Sequence, residues 1–454
     1  MLMDTVSRAQ MTSSGSGSGV LWGSDSLALD PKSSRTLHWR VYRTEGDYWS
    51  FVNQLRRDLN VNYTIPGYGH FVSTYQKPFP DCSFVSDFLQ VMDRKRPKYI
   101  IAYPWFCYYD AAMCKTADEW LAVFRRVQAD FNKKYAGKLN AVLTPAFEPT
   151  IQPIPRKIKM LKYPQDKDLY DTDCLSVDDH GKYRFTRQWT VGKPVTNYRS
   201  YILKGTKYHK KFMTGIKGAL DAGAGGIYFD IFCTNSSTYD RTDGATGEID
   251  KKDFTLKRRY ALGLILEEET KREMVDYILK RGGVVICNGF PAWASMADRP
   301  IFSFFECNDL DFNSMGAGHL CAPIGLSVSW VRSEKKTGAD LISAITNRLK
   351  AGGLFYAYIT ELIDGKEAYE AINLMYPITI EELHPGWIVG KERTLVAVPG
   401  IYTVGGGNPP EVHHFFASGK RNTAPAAAEK LANGKYKVDL SKLTDGDYAV
   451  IVVK

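Results

Sequence analysis

The chain has 454 residues, enough at roughly 150 residues per domain for up to about three domains, or for one large barrel with an appendage. Hydrophobic residues make up 44% and charged residues 24%, the usage of a folded globular protein, which excludes disordered, collagen-like and coiled-coil chains. Lys and Arg total 59 against 50 Asp and Glu, a net charge of +9 with no long basic stripe, so no nucleic-acid partner is expected.

The first residues, MLMDTVSRAQ, lack the apolar core of a signal peptide. No run approaches the ~18 apolar residues a membrane helix needs, so no membrane partner is expected and a cytoplasmic location is favoured. Residues 12–19 read TSSGSGSG, a linker composition, and 1–34 are read as a flexible N-terminal tail. From there short apolar runs alternate with helical patterns, the signature of a parallel sheet with crossover helices. The strand candidates are Leu37–Tyr42, Val61–Pro66, Tyr99–Tyr103, Ala141–Phe147, Gly226–Asp230, Val284–Asn288, Ile301–Glu306, Leu326–Trp330 and Leu354–Tyr358. Helical patterns run over Gly46–Leu59, Ala117–Tyr135, Tyr201–Ala222, Leu256–Arg281 and Asp340–Ala351.

This pattern predicts an α/β fold, a (β/α)8 TIM barrel over 35–374. Nine candidates compete for eight places. Either Leu37–Tyr42 is the first strand and Leu354–Tyr358 opens the next domain, or Leu37–Tyr42 is an extra N-terminal strand and Leu354–Tyr358 is the eighth; the second register is favoured. A long polar insertion, 148–200, carries Pro149, Pro153, Pro155, Pro164 and Pro194 and is read as a functional loop. Beyond 375 the strands become short and are broken by turn signals such as Gly405-Gly406-Gly407-Asn408-Pro409-Pro410, which predicts a small antiparallel β-sandwich over 375–454.

In a (β/α) barrel the reactive groups sit at the C-terminal ends of the strands. GGIYFD ends in Asp230, VVICN in Asn288 and IFSFFE in Glu306, polar groups that close otherwise apolar runs. Two carboxylates facing one cavity are what glycosidic bond cleavage needs: one protonates the leaving oxygen, the other attacks the anomeric carbon or activates water. Phe302, Phe304 and Phe305 give Glu306 the more apolar approach and suit it to the acid role. Thr234-Asn235-Ser236-Ser237 offer Asp230 a polar loop that keeps it ionised. Asn288 is assigned to hydrogen-bonding the sugar. Glu148, a third strand-end carboxylate, is a substrate contact and the main competitor for the acid role. Trp105, Trp293 and Trp330, with Tyr228, are the candidates for stacking on sugar rings. The alternatives are that Asp230 and Glu306 are helix caps and that the rings pack the core.

Motifs of P-loop, dinucleotide-binding, zincin and α/β-hydrolase enzymes are absent. The eight cysteines form no C-x-x-C pair, so neither a structural metal nor a cofactor is expected, and a reducing compartment is favoured. Two rival functions stand beside the glycosidase. One is a non-catalytic carbohydrate-binding or structural barrel. The other is an enzyme, hydrolase or lyase, acting on an acidic polysaccharide, suggested by the net +9 and by Arg187, Arg199 and Lys204.

The runs GAGGIYFDIF (223–232), VVICNGF (284–290) and FFECND (304–309) resemble retaining glycoside hydrolases of the α-galactosidase-like and endo-α-N-acetylgalactosaminidase-like barrels. The resemblance implies an Asp nucleophile at the end of the fourth strand, matched by Asp230, and an acidic acid/base residue on the fifth or sixth, matched by Glu306. The segment GGLFYAYITEL, with 376–405 after it, is similar to the junction where such barrels give way to a C-terminal β-sandwich. The likeness covers roughly 200–410 at the level of motifs. Residues 1–34 are not expected to match the N-terminal β-domain that often precedes these barrels, and the likeness leaves the sugar unidentified.

Overall fold

A computed structural model describes residues 9–13, 20–24, 26–29, 32–34, 36, 40–71, 88–106, 116–148, 150–151, 174–190, 193–232, 236–289, 293–304, 319, 324–327, 337–357, 366–405, 407–443 and 449–454. Gly69–Phe71 (β1), Tyr99–Phe106 (β2), Val142–Phe147 (β3), Gly226–Phe229 (β4), Val284–Asn288 (β5) and Ile301–Phe304 (β6) form one six-stranded sheet in chain order, each neighbouring pair parallel. Ile324–Ser327 (β7), beside β6, pairs in parallel with Leu354–Ala357 (β8). The described part is therefore a curled parallel half-barrel with a further parallel pair at its edge.

Among the described residues seven α-helices accompany these strands: Tyr48–Asp58 (α1), Phe88–Lys95 (α2), Ala117–Tyr135 (α3), Lys207–Asp221 (α4), Gly263–Lys280 (α5), Gly338–Lys350 (α6) and Lys366–Leu374 (α7). Asp47, Thr116, Thr206 and Thr337 cap α1, α3, α4 and α6, each side chain accepting a backbone N–H of the first turn.

The alternation of side chains along each strand divides the core in two. Phe106, Phe147, Phe229, Cys287 and Ile301 face outward and pack against Trp120 and Phe124 of α3, Phe212 of α4 and Met274 of α5. Phe71, Ile101, Ala146, Tyr228, Ile286 and Phe302 face inward, in a cluster that runs on through α6 and α7 to Ile380, Leu395 and Ile451 of the C-terminal region.

That region contains Ile378–His384 (β9), Trp387–Gly390 (β10), Arg393–Val396 (β11), Ile401–Val404 (β12), Glu411–Phe415 (β13), Ala428–Lys430 (β14), Tyr436–Asp439 (β15) and Ala449–Val453 (β16). An antiparallel sheet runs β13-β16-β11-β10-β9, and a second runs β12-β15-β14. Val396, Tyr402, Val404, Val438, Val450 and Val452 form a small core between them. The larger sheet turns its other side to α6 and α7.

Four expectations change. Residues 37–39 lie outside the described residues, and Arg40–Tyr42 form no strand: Arg40 and Tyr42 both bond the Asp58 carboxylate, and Val41 is 81% exposed. Val61–Pro66 is not the first barrel strand, because Thr64–Ile65 pairs antiparallel with Thr379–Ile378 of β9 and the first place falls to Gly69–Phe71. The start of the helix expected over Leu256–Arg281 is instead a strand, Leu256–Arg259, hairpinned with Gly247–Ile249 in the connection between β4 and α5. The 1–34 tail contains paired backbone: Ala9–Ser13 runs antiparallel to Val20–Ser24, and Ser26–Ala28 lies along Ala245–Gly247 through N–H···O bonds of 2.8 and 2.9 Å. In the 148–200 insertion, Thr150–Ile151, Phe185–Thr190 and Lys193–Arg199 form a three-stranded sheet. Among the described residues no helix is long and apolar enough to cross a membrane.

Candidate active site

β4 opens at Gly226, where a Cβ would sit 2.1 Å from the Val284 carbonyl oxygen; only glycine lets β4 and β5 approach this closely here. From there Tyr228 points inward, and by the same alternation so does Asp230, the residue after the last one of β4. The register sets its neighbours. Phe229 is level with Phe147 on β3 and with Cys287 on β5, so the next step brings Glu148, Asp230 and Asn288 into one row across three adjacent strands. The Asp230 N–H donates to the Phe147 carbonyl at 2.8 Å, which continues the ladder to this level. Adjacent strands lie about 4.8 Å apart, so the row is compact.

One oxygen of Asp230 collects three donors. Asn288 Nδ2 lies 2.8 Å from Oδ1, the Tyr228 hydroxyl 3.1 Å, and the Ile231 backbone N–H 3.1 Å. Among the described residues no donor reaches Oδ2. Burial pushes the Asp230 pKa above its ordinary value of 3.8, and the bonds from Asn288, Tyr228 and Ile231 pull against it. Asp230 and Asn288 nonetheless retain partial solvent exposure, whereas Glu148 is 2% exposed. Beneath the row Tyr228 meets Phe71 edge to face at 4.9 Å, closing the interior with apolar side chains.

Of the loop expected to keep Asp230 ionised, Thr234 and Asn235 lie outside the described residues, and Ser236 and Ser237 bond Tyr201 and Ser176. Among the described residues the ionised form is supported by Tyr228, Asn288 and a backbone N–H. The turn itself is strained. Ile231 has φ +47, a left-handed conformation costly for a β-branched residue and of the kind stored at functional sites.

Trp293 is also corrected. It is 1% exposed on the outward side of the sheet, where its indole N–H donates to the Leu264 carbonyl at 2.6 Å and its ring meets Phe232 edge to face. It packs the core and cannot stack on a sugar. Tyr228 is likewise too buried to offer a ring face, and reaches the site through its hydroxyl. Glu306 and Trp330 lie outside the described residues, as does the side chain of Trp105. No group of three or more His, Cys, Asp or Glu able to hold a metal ion occurs among the described residues.

Sequence reasoning missed a buried ion pair behind the site. Lys271 Nζ lies 3.0 Å from Glu267 Oε2 on α5, with the side chains 2% and 0% exposed. Lys271 also donates to the Phe232 carbonyl, two residues after Asp230. The only signal was an i,i+4 Glu–Lys spacing, which ordinarily marks a solvated helix face.

No family model matches the chain, and no curated protein sequence matches it. Solved structures similar to it include glycoside hydrolases. A GH31 family sulfoquinovosidase from E. rectale aligns with 90% of this chain at 9% identity and a TM-score of 0.47. A GH36 alpha-galactosidase from Geobacillus stearothermophilus aligns with 89% at 12% identity and 0.47, and a cycloalternan-forming enzyme from Listeria monocytogenes with 88% at 9% and 0.42. The chain spans 66%, 58% and 43% of the length of those three chains respectively. With TM-scores below 0.5 these likenesses carry no functional argument, which rests on the geometry of the Glu148, Asp230 and Asn288 row.

Proposed function

We propose that the protein is a glycoside hydrolase that cleaves an oligo- or polysaccharide with two carboxylates. The observation that carries this reading is Asp230 at the end of β4, partly open to solvent, with three donors on Oδ1 and Oδ2 clear of donors among the described residues. In this mechanism Oδ2 attacks or stabilises the anomeric carbon as the glycosidic C–O bond breaks. The second carboxyl gives its proton to the leaving oxygen, and then, as carboxylate, takes one from the water that completes hydrolysis. Asn288 orients Asp230 and reaches the sugar.

Glu306, two residues beyond β6, is proposed as the acid/base. The level register of Glu148 beside Asp230 favours a second assignment, in which Glu148 donates the proton. Trp105 and Trp330 are proposed as sugar-stacking residues. We further read β1–β8 as a closed eight-stranded barrel over 35–374 and the two C-terminal sheets as a β-sandwich over 375–454.

The test is hydrolysis of α- and β-aryl glycosides and natural oligosaccharides by wild type, Asp230→Asn, Glu306→Gln and Glu148→Gln, with product anomers followed by NMR. Loss of turnover in Asp230→Asn together with one of the two Gln variants supports the reading and identifies the acid. A wild type that binds glycans and hydrolyses none overturns it in favour of a carbohydrate-binding barrel.

A further inference from the structure

The turn that carries Asp230 is strained at Ile231, and a strained turn persists only where its surroundings over-determine it. Four bonds do so here. The Asp230 N–H is held by Phe147, the Ile231 N–H by Asp230 itself, and the Phe232 N–H by the Asn288 carbonyl at 3.1 Å. The fourth comes from outside the sheet, where Lys271 of α5 donates to the Phe232 carbonyl.

Lys271 is itself tightly placed. Its ammonium lies 5.2 Å from the Phe232 ring centroid and 5.7 Å from that of Trp293, and Trp293 is tied back to α5 through Leu264. Glu267 pairs with Lys271 through Oε2 and accepts the Ile202 N–H at 2.8 Å through Oε1. A buried ion pair is costly to desolvate, and apolar residues of similar volume are often as stable or more so. Stability alone therefore gives little reason for a lysine here, whereas a directed donor on the Phe232 carbonyl gives one.

We propose that Lys271 is a positioning residue which, held by Glu267, pins the Asp230–Phe232 turn and so fixes the aim of the Asp230 carboxylate. The proposal rests on reading Asp230 as the reacting carboxylate, although Lys271 lies behind the sheet and touches no substrate. Because Lys271→Met alone leaves Glu267 charged and buried, the informative protein is the double variant Glu267→Gln/Lys271→Met, in which the introduced carboxamide oxygen keeps an acceptor for the Ile202 N–H.

The double variant should fold, melting somewhat below the wild type because the Phe232 carbonyl loses its donor. Hydrogen–deuterium exchange of the Ile231 and Phe232 amides should rise about 10-fold or more while protection in β2, β3 and α3 is unchanged. Turnover of whichever glycoside the wild type cleaves should fall about 10- to 100-fold in kcat with KM little altered, the cost of a misaimed group. Wild-type exchange at 231–232 overturns the proposal, and so does faster exchange with wild-type kcat, which would make the pair merely structural. If the wild type hydrolyses no glycoside, faster exchange confined to the turn still supports the pin, and only the reading of Asp230 as a glycosidase nucleophile falls.

Discussion

The two faces of β3, β4 and β5 are made from the same strands and put to opposite uses. Outward, Phe147, Phe229 and Cys287 meet Trp120, Phe212 and Met274 in a dry layer under the helices. Inward, Ala146, Tyr228 and Ile286 fill the interior, and one step further along the chain the same face ends in Glu148, Asp230 and Asn288. The aromatic mass lies where it stabilises, and the polar row lies where the strands stop and water begins. Stability and chemistry are thus separable by strand parity, and substitutions on the two faces should fail in different ways.

The largest effect expected is on the inner face. Asp230→Asn should lower kcat on the order of 10^3-fold, and a steady-state assay with a folded variant checks it. On the outer face Trp120→Ala, which deletes a ring stacked on Phe124 at 5.3 Å, should cost about 3–5 kcal/mol in denaturant unfolding. If that variant lost turnover without losing stability, the division between faces would be wrong. Asn288→Ala removes one of three donors on Asp230 and should lower kcat about 10- to 100-fold, the worth of about 1.5–3 kcal/mol for a bond to a charged group.

Trp293→Phe removes a second bond to the Leu264 carbonyl, which keeps its place in the helix ladder of α5, and should cost about 0.5–1.5 kcal/mol of stability while leaving KM unchanged. An altered KM would restore Trp293 as a sugar contact. The smallest effect is one of pH. Burial raises the Asp230 pKa above 3.8, so between the unfolded and folded values the folded state binds more protons. Wild-type stability should therefore fall as pH rises through that window. Asp230→Asn does not ionise, so its melting temperature should gain on the wild type from acid to neutral pH and then level off.

What the sequence made legible follows from the same parity. An apolar run closed by one polar residue is a strong pattern, and Asp230 and Asn288 were found from it. Gly69–Phe71 escaped because three residues with a central histidine carry no periodicity, and the stronger run before it, Val61–Pro66, belongs in part to another sheet. Trp293 misled because composition reports a ring and not the side of the sheet it occupies. Leu256–Arg259 read as helix because apolar and basic residues at short spacing fit both periods until a hairpin partner is known. Glu267 and Lys271 stayed hidden because a helical Glu–Lys pair looks the same in sequence whether it meets water or a sealed interior.

The Asn53 side chain of α1 grips the backbone of Leu383 from both sides, with its amide donating to the carbonyl and its oxygen accepting the N–H, each at 2.8 Å. The two residues are 330 positions apart. During synthesis α1 therefore emerges long before its partner exists, and its buried face, Trp49 and Val52 included, must wait exposed until β9 is made. A chain tied together by contacts of such long range closes slowly and late, and that apolar face stays open to aggregation in the interval.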